Sequence, residues 1–129
     1  RGLGDVYKRQ ILAFASTGVK VMITEWDMSA LPTVNRTANV TDTAAYRQAL
    51  NPYPVELPDS VSRLWNQRMR SFTDLFVRHA DVITRVTAWG VTDGDSWKND
   101  FPVHGRKEYP LLFDRNYEAK PFIQELTKK

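Results

Sequence analysis

The 129-residue sequence contains no cysteine. Disulfide scaffolds, thiolate zinc clusters and cysteine nucleophiles are thereby excluded, although the compartment is not fixed. No run approaches the roughly 18 apolar residues of a membrane-spanning helix. There is no Gly-rich phosphate loop, and neither histidine, His79 nor His104, stands at a ligand-like spacing from other metal-binding side chains. Charge of one sign is also scarce. Lys and Arg number 18 against 15 Asp and Glu, and a net of +3 is too small and too scattered for a nucleic-acid footprint. No cofactor and no metal is implied.

What is present is ordinary for a globular chain: 42% hydrophobic residues and 12% aromatic, including four tryptophans that serve either a core or a stacking surface. The first ten residues, RGLGDVYKRQ, differ from the rest. They show no apolar period, lack the apolar centre of a signal peptide and contain no initiator Met, so residues 1–10 are read as a non-native leader. Without Arg1, Asp5, Lys8 and Arg9 the balance is 15 basic against 14 acidic residues, and the net charge falls to +1.

Ile11 to Thr17 reads as the tail of a helix, with Gly18 as its stop. Val19 to Trp26 is a near-continuous apolar run, expected as a strand buried on both faces. A long irregular stretch, 27–58, follows, with a short helix expected around Thr43 to Leu50. Asp59 or Ser60 is the expected cap of a helix whose stripe is Val61, Leu64, Trp65, Met69, Phe72, Leu75 and Phe76. Thr84 to Val91 reads as a second strand, 92–116 as a second long loop, and Tyr117 to Leu126 as a terminal helix with Pro121 near its first turn. The βαβα order implies parallel strands with helical crossovers, an α/β fold.

Sites in such folds lie at the carboxyl ends of the strands. Glu25 and Asp27 stand there, two residues apart. Paired carboxylates serve acid, base or nucleophilic work, but the spacing alone equally fits the start of a loop. The second loop carries Trp89, Asp93, Asp95, Trp97, Lys98, Asn99, Asp100, His104, Arg106 and Lys107. Indole faces stack on sugar C–H surfaces, while neighbouring acids and amides bond the hydroxyls. Trp89 also fits a core position; Trp97, among polar neighbours, fits it less well. Trp65 lies on the helical stripe and reads as packing. Asn35-Arg36-Thr37 and Asn39-Val40-Thr41 match glycosylation acceptors, a pattern common by chance.

Three ordered blocks, VMITEWDMS, RVTAWGVTDGDSWKNDFP and YPLLFDRNYEAKPFIQEL, resemble the end of glycoside hydrolase family 10, the endo-β-1,4-xylanases. The resemblance runs from about Ile11 to Leu126. It implies a partial TIM (β/α)8 barrel comprising its last two βα units, the seventh and eighth strands with their helices. Residues 11–129 are then the C-terminal part of one barrel domain, since such barrels need about 250 residues. The family motif Thr-Glu-x-Asp matches Thr24-Glu25-Trp26-Asp27, which implies Glu25 as the nucleophile of a retaining glycosidase. Asp27 matches the aspartate that orients this nucleophile together with a histidine of the sixth strand. Trp89 and Trp97 match sugar-subsite tryptophans, and Arg106 contributes to the same wall.

The general acid/base belongs to the fourth strand, whose motif is not in this chain. Glu56, Glu108, Glu118 and Glu125 lack its context. Trp26 replaces a smaller aliphatic residue and is expected to pack outside the barrel against a helix. The implied partner is xylan or a xylo-oligosaccharide, with no nucleic acid and no membrane; the parent enzyme is expected to be monomeric and extracellular or periplasmic. The isolated chain is expected to be inactive. Rival readings are another retaining β-glycanase of the same barrel, such as a mannanase or cellulase, a non-catalytic carbohydrate-binding module, and a small α/β domain with no ligand.

Overall fold

A computed structural model of the chain describes residues 3–32 and 44–128. Both glycosylation acceptor motifs and Thr43 lie outside them. The order is α1 (Leu3–Ala15), β1 (Val21–Trp26), α2 (Ala44–Leu50), α3 (Asp59–Arg78), β2 (Ile83–Ala88), a 3-10 turn (Asp93–Asp95) and α4 (Pro121–Thr127). β1 and β2 pair in parallel as a two-stranded sheet. Parallel neighbours need a crossover, and α3 supplies it.

Helix α1 begins well before the expected tail, so residues 3–10 are helical. Gly18 ends the following turn as expected, with φ +84° and its N–H donating to Ala15 O at 2.9 Å. Helix α3 buries Trp65, Met69, Phe72, Leu75 and Phe76, while Leu64, expected on the stripe, is 66% exposed. Leu64 sits at the margin of the apolar arc, where no neighbouring element covers it. Neither Asp59 nor Ser60 caps the helix. Pro58 holds the N-cap position without a side-chain bond, and Asp59 lies inside the first turn, where the helix dipole favours its charge. Helix α4 starts at Pro121 rather than Tyr117. The proline favours the first helical position, and Lys120 before it is extended, at φ −67° and ψ 156°.

Two apolar clusters share α3. One joins Ile11, Phe72, Leu75, Phe76 and Ile83, with Ile23, Trp26, Met28 and Val86 against it. The other joins Trp65, Met69 and Phe122. Among the described residues only one sheet face is covered, contrary to the expectation for β1. Val21, Ile23, Ile83 and Val86 turn toward the helices, whereas Met22, Thr24, Thr84 and Thr87 are exposed. The apolar run in β1 supplies residues for two faces, but the described chain covers only one. The free edge of β1 borders a slot of about 470 Å³ between α1 and α3, lined by Phe14, Ile23, Glu25, Asp27 and Phe76 among others.

Candidate active site

The β1 ladder is irregular between Ile23 and Trp26. Strict alternation would place Trp26 with Thr24, on the face opposite Ile23. Instead Thr24 and Glu25 are both exposed, and Trp26 turns to the helix side. Its ring meets Phe76 edge-on, with centroids 5.2 Å apart. Trp26 therefore packs against α3, and Glu25 is left at the open end of the sheet. No hydrogen bond or ion pair holds the Glu25 carboxylate among the described residues.

Beyond β2 the ladder continues by one bond, Trp89 N–H to Trp26 O at 3.0 Å, which brings Trp89 alongside the Glu25-Trp26-Asp27 segment. Trp89 is 49% exposed and Trp97 59%, while Trp65 is 4% exposed. Trp65 and Trp97 thus lie in the core and at the surface as their neighbours suggested, and Trp89, which the pattern left open, lies at the surface. Gly90 makes the turn after Trp89. Its φ is +131°, and a Cβ there would stand 2.7 Å from Leu111 Cδ1. Only glycine passes under Leu111 in that conformation.

Asp27 is tied to the second loop. Its Oδ2 accepts the Trp97 indole N–H at 2.9 Å, and its Oδ1 faces Lys98 Nζ at 3.1 Å. Lys98 also reaches Ser29 Oγ at 3.0 Å. Arg106 is buried. Its guanidinium faces Glu108 Oε2 at 3.5 Å and the Pro32 carbonyl at 3.4 Å, and it borders a cavity of about 410 Å³ that Ser29, Trp97 and Lys98 also line.

Several polar residues of the second loop serve the loop itself. Asp93 is fully buried. It accepts the Leu111 N–H at 2.9 Å, and Lys120 Nζ lies 2.9 Å from each of its oxygens. Burial outweighs this pairing, raising the Asp93 carboxyl above its ordinary 3.8 and lowering Lys120 below 10.5. The Lys120 ammonium stands 4.0 Å from the Trp65 ring centroid, and Trp65 Nε1 donates to Met28 O at 2.7 Å. Asn99 donates to Asp93 O at 2.8 Å and accepts from Glu108 N and Arg115 at 3.0 and 2.8 Å. His104 is exposed beside Asp100, at 3.3 Å. Among the described residues no group of three or more His, Asp or Glu could hold a metal ion, and no helix is long and apolar enough to cross a membrane.

Glu108, set aside by the sequence pattern, is the main clasp between the two loops. It is 1% exposed, and its Oε1 accepts the N–H groups of Ala30, Leu31 and Tyr109 at 2.8, 3.2 and 3.1 Å. No local signal announces a partner 78 residues away.

Parallel strands with carboxylates and indoles gathered at one end put the chain in the class of α/β proteins that carry their site at the carboxyl ends of the strands. The sequence profile of glycosyl hydrolase family 10 matches residues 4–129, and the chain belongs to that family. It is 40% identical over 124 residues to endo-1,4-beta-xylanase A of Xylanibacter ruminicola, covering 95% of this chain and 34% of that protein. A thermostable celloxylanase of Thermoclostridium stercorarium is 34% identical over 111 residues, covering 86% of this chain and 25% of that protein. Among solved structures, a GH10 endoxylanase from a sugarcane soil metagenome superposes with a TM-score of 0.82 at 34% identity, over 99% of this chain and 36% of that one. A mutant solved in complex with xylotriose gives a TM-score of 0.76 at 32% identity, over 98% of this chain and 34% of that one. The chain thus spans between a quarter and about a third of the length of these relatives.

Proposed function

We propose that this chain is the C-terminal part of a retaining endo-β-1,4-xylanase, and that β1 and β2 are the seventh and eighth strands of its barrel. The observation that carries the reading is one shared strand end. Glu25 is exposed at the close of β1, with exposed Trp89 beside it and exposed Trp97 bonded to Asp27. The xylotriose complex of a similar protein supports a xylo-oligosaccharide as the ligand.

In this reading the Glu25 carboxylate attacks the anomeric carbon. The carbon–oxygen bond to the leaving sugar breaks, and a glycosyl-enzyme forms. A second carboxyl group, outside this chain, protonates the leaving oxygen and then takes a proton from the water that hydrolyses the intermediate. In retaining enzymes the two groups stand about 5–5.5 Å apart. Trp89 and Trp97 hold the sugar rings by stacking, which fixes the reacting carbon over Glu25. Arg106 backs this wall from behind Trp97. Asp27 belongs to the network that orients Glu25. The parent protein is read as a monomer that works on xylan outside the cytoplasm.

The test is a composite barrel in which residues 4–129 replace the matched segment of the Xylanibacter ruminicola enzyme. It is expected to cleave xylan, and Glu25→Ala is expected to lower the rate on the order of 10⁴-fold or more. The 129-residue chain alone is expected to release no sugar. Activity surviving Glu25→Ala, or cleavage by the isolated chain, overturns the assignment. The same composite barrel assayed on mannan and cellulose separates the xylanase reading from its barrel-sharing rivals.

A further inference from the structure

We propose that Asp27 is the positioning residue of the Trp97 sugar platform, so that the strand bearing Glu25 also sets the place of the indole. The proposal rests on reading Trp97 as a sugar wall.

Trp97 sits in an irregular stretch just past the 3-10 turn, with 59% of its surface exposed. A ring in such a place has no core to hold its side-chain torsions. Its one polar atom, Nε1, donates to Asp27 Oδ2 at 2.9 Å across 70 residues of sequence. The carboxylate is itself held. Its side chain is 13% exposed, and Oδ1 is ion-paired at 3.1 Å with Lys98, the residue next to Trp97. Lys98 is fixed in turn by Ser29 Oγ at 3.0 Å, two residues beyond Asp27, and its ammonium stands 5.3 Å from the Trp97 ring centroid. The loop therefore grips the strand end at two adjacent residues through one carboxylate.

The indole is held by its edge, and with the Lys98 ammonium over one face the opposite face is left for a ligand. An exposed hydrogen bond alone is weak, but a charged acceptor shielded from water and already committed to a cation is a firm one. Glu25 precedes Asp27 by two residues on the same backbone. The spacing from nucleophile to platform is thus a property of β1 and does not depend on how the second loop moves. A sugar stacked on Trp97 is registered against Glu25 by this linkage.

The experiment is a double-mutant cycle on xylotriose affinity, measured by calorimetry in the composite barrel with Glu25→Ala present throughout. That background stops turnover and removes any effect of Asp27 exerted through the nucleophile. Trp97→Ala is expected to weaken binding about tenfold, Asp27→Ala nearly as much, and the pair no more than Trp97→Ala alone. Asp27→Asn keeps an oxygen for the indole and is expected to restore most of the affinity. Additive losses, or no loss in Asp27→Ala, overturn the proposal while leaving the sugar-wall reading intact. Absence of xylotriose binding before any change at 27 or 97 overturns the sugar-wall reading itself.

A second measurement uses the same composite barrel with Glu25→Ala present. The indole N–H resonance of Trp97, assigned by its loss in Trp97→Phe, is expected to move in Asp27→Ala and to stay near its place in Asp27→Asn. A resonance at the solvent-exposed position that ignores both changes overturns the linkage.

Discussion

Glu108 Oε1 accepts the backbone N–H of Ala30 at 2.8 Å, so the loop after β2 holds the loop after β1 by one buried carboxylate. The same oxygen serves Leu31 and Tyr109, and the other faces Arg106. Removing the side chain strands three donors and a buried guanidinium. Glu108→Ala is expected to destabilise the composite barrel by about 3–5 kcal/mol. Glu108→Gln keeps an acceptor for the amides and is expected to cost less, leaving Arg106 without its counter-charge. Urea unfolding midpoints of the two variants decide this; equal losses would show that only the charge matters.

Asp93 and Lys120 are a buried pair whose environment favours both neutral forms. The raised carboxyl means that, between pH 3.8 and its folded value, the native state holds more protons than the unfolded one. Stability from this group therefore falls as pH rises through that window. The lowered amine means that, between its folded value and pH 10.5, the unfolded state holds more protons, so stability from Lys120 rises with pH there. Removing one member leaves a buried charge alone. Lys120→Met is expected to cost about 3–5 kcal/mol near neutral pH, and Asp93→Asn with Lys120→Met clearly less. The side-chain amide oxygen of Asp93→Asn would still accept the Leu111 N–H, as the Asp93 carboxylate does at 2.9 Å. Stability measured against pH for wild type and the double variant reads both signs; a wild-type loss on acidification down to pH 3.8 that the double variant lacks would contradict them.

The parts of the fold set by local chemistry were legible in the sequence. The α3 stripe, the Gly18 stop, the two parallel strands and the separation of Trp65 from Trp97 follow from periodicity and from polar neighbours, whereas the pattern left Trp89 open between core and surface. Three features were not. The slip between Ile23 and Trp26 reverses the alternation, and no residue type marks it. The open face of β1 follows from what lies beside the strand, not from its composition. The clasps made by Glu108, Asn99 and Lys120 join residues distant in sequence, and a lone polar residue in a loop looks the same whether it is solvated or buried. Of the candidate site, Glu25, Asp27, Trp89 and Trp97 gather at one end, whereas Asp93 proved to be interior.

Gly90 gives a prediction independent of charge. At φ +131° an L side chain is strained, and a methyl group would meet Leu111 Cδ1 at 2.7 Å. Strain alone costs about 1–3 kcal/mol. Gly90→Ala is therefore expected to lower the unfolding free energy of the composite barrel by about 2–4 kcal/mol. Leu111→Ala removes the clash but leaves the strain and opens a cavity in a fully buried place, so the double variant is expected to be less stable than Gly90→Ala. Thermal melts of the three variants check the order, and full rescue by Leu111→Ala would assign the whole cost to the clash.

Among the described residues, a two-stranded parallel pair leaves one edge of β1 and one edge of β2 without partners, and its outer face exposes Met22 at 56%. Closing a barrel removes such edges, and isolated two-stranded sheets are marginal in water. The apolar slot along β1 adds a further uncovered surface, bordered by Phe14, Ile23 and Phe76. The 129-residue chain by itself is therefore expected to bind hydrophobic dyes, to self-associate as its concentration rises, and to lose near-ultraviolet ellipticity gradually on heating. The composite barrel is expected to melt in one cooperative step. A sharp, concentration-independent transition of the isolated chain would show that α1, α3 and α4 suffice to hold the two strands without neighbours.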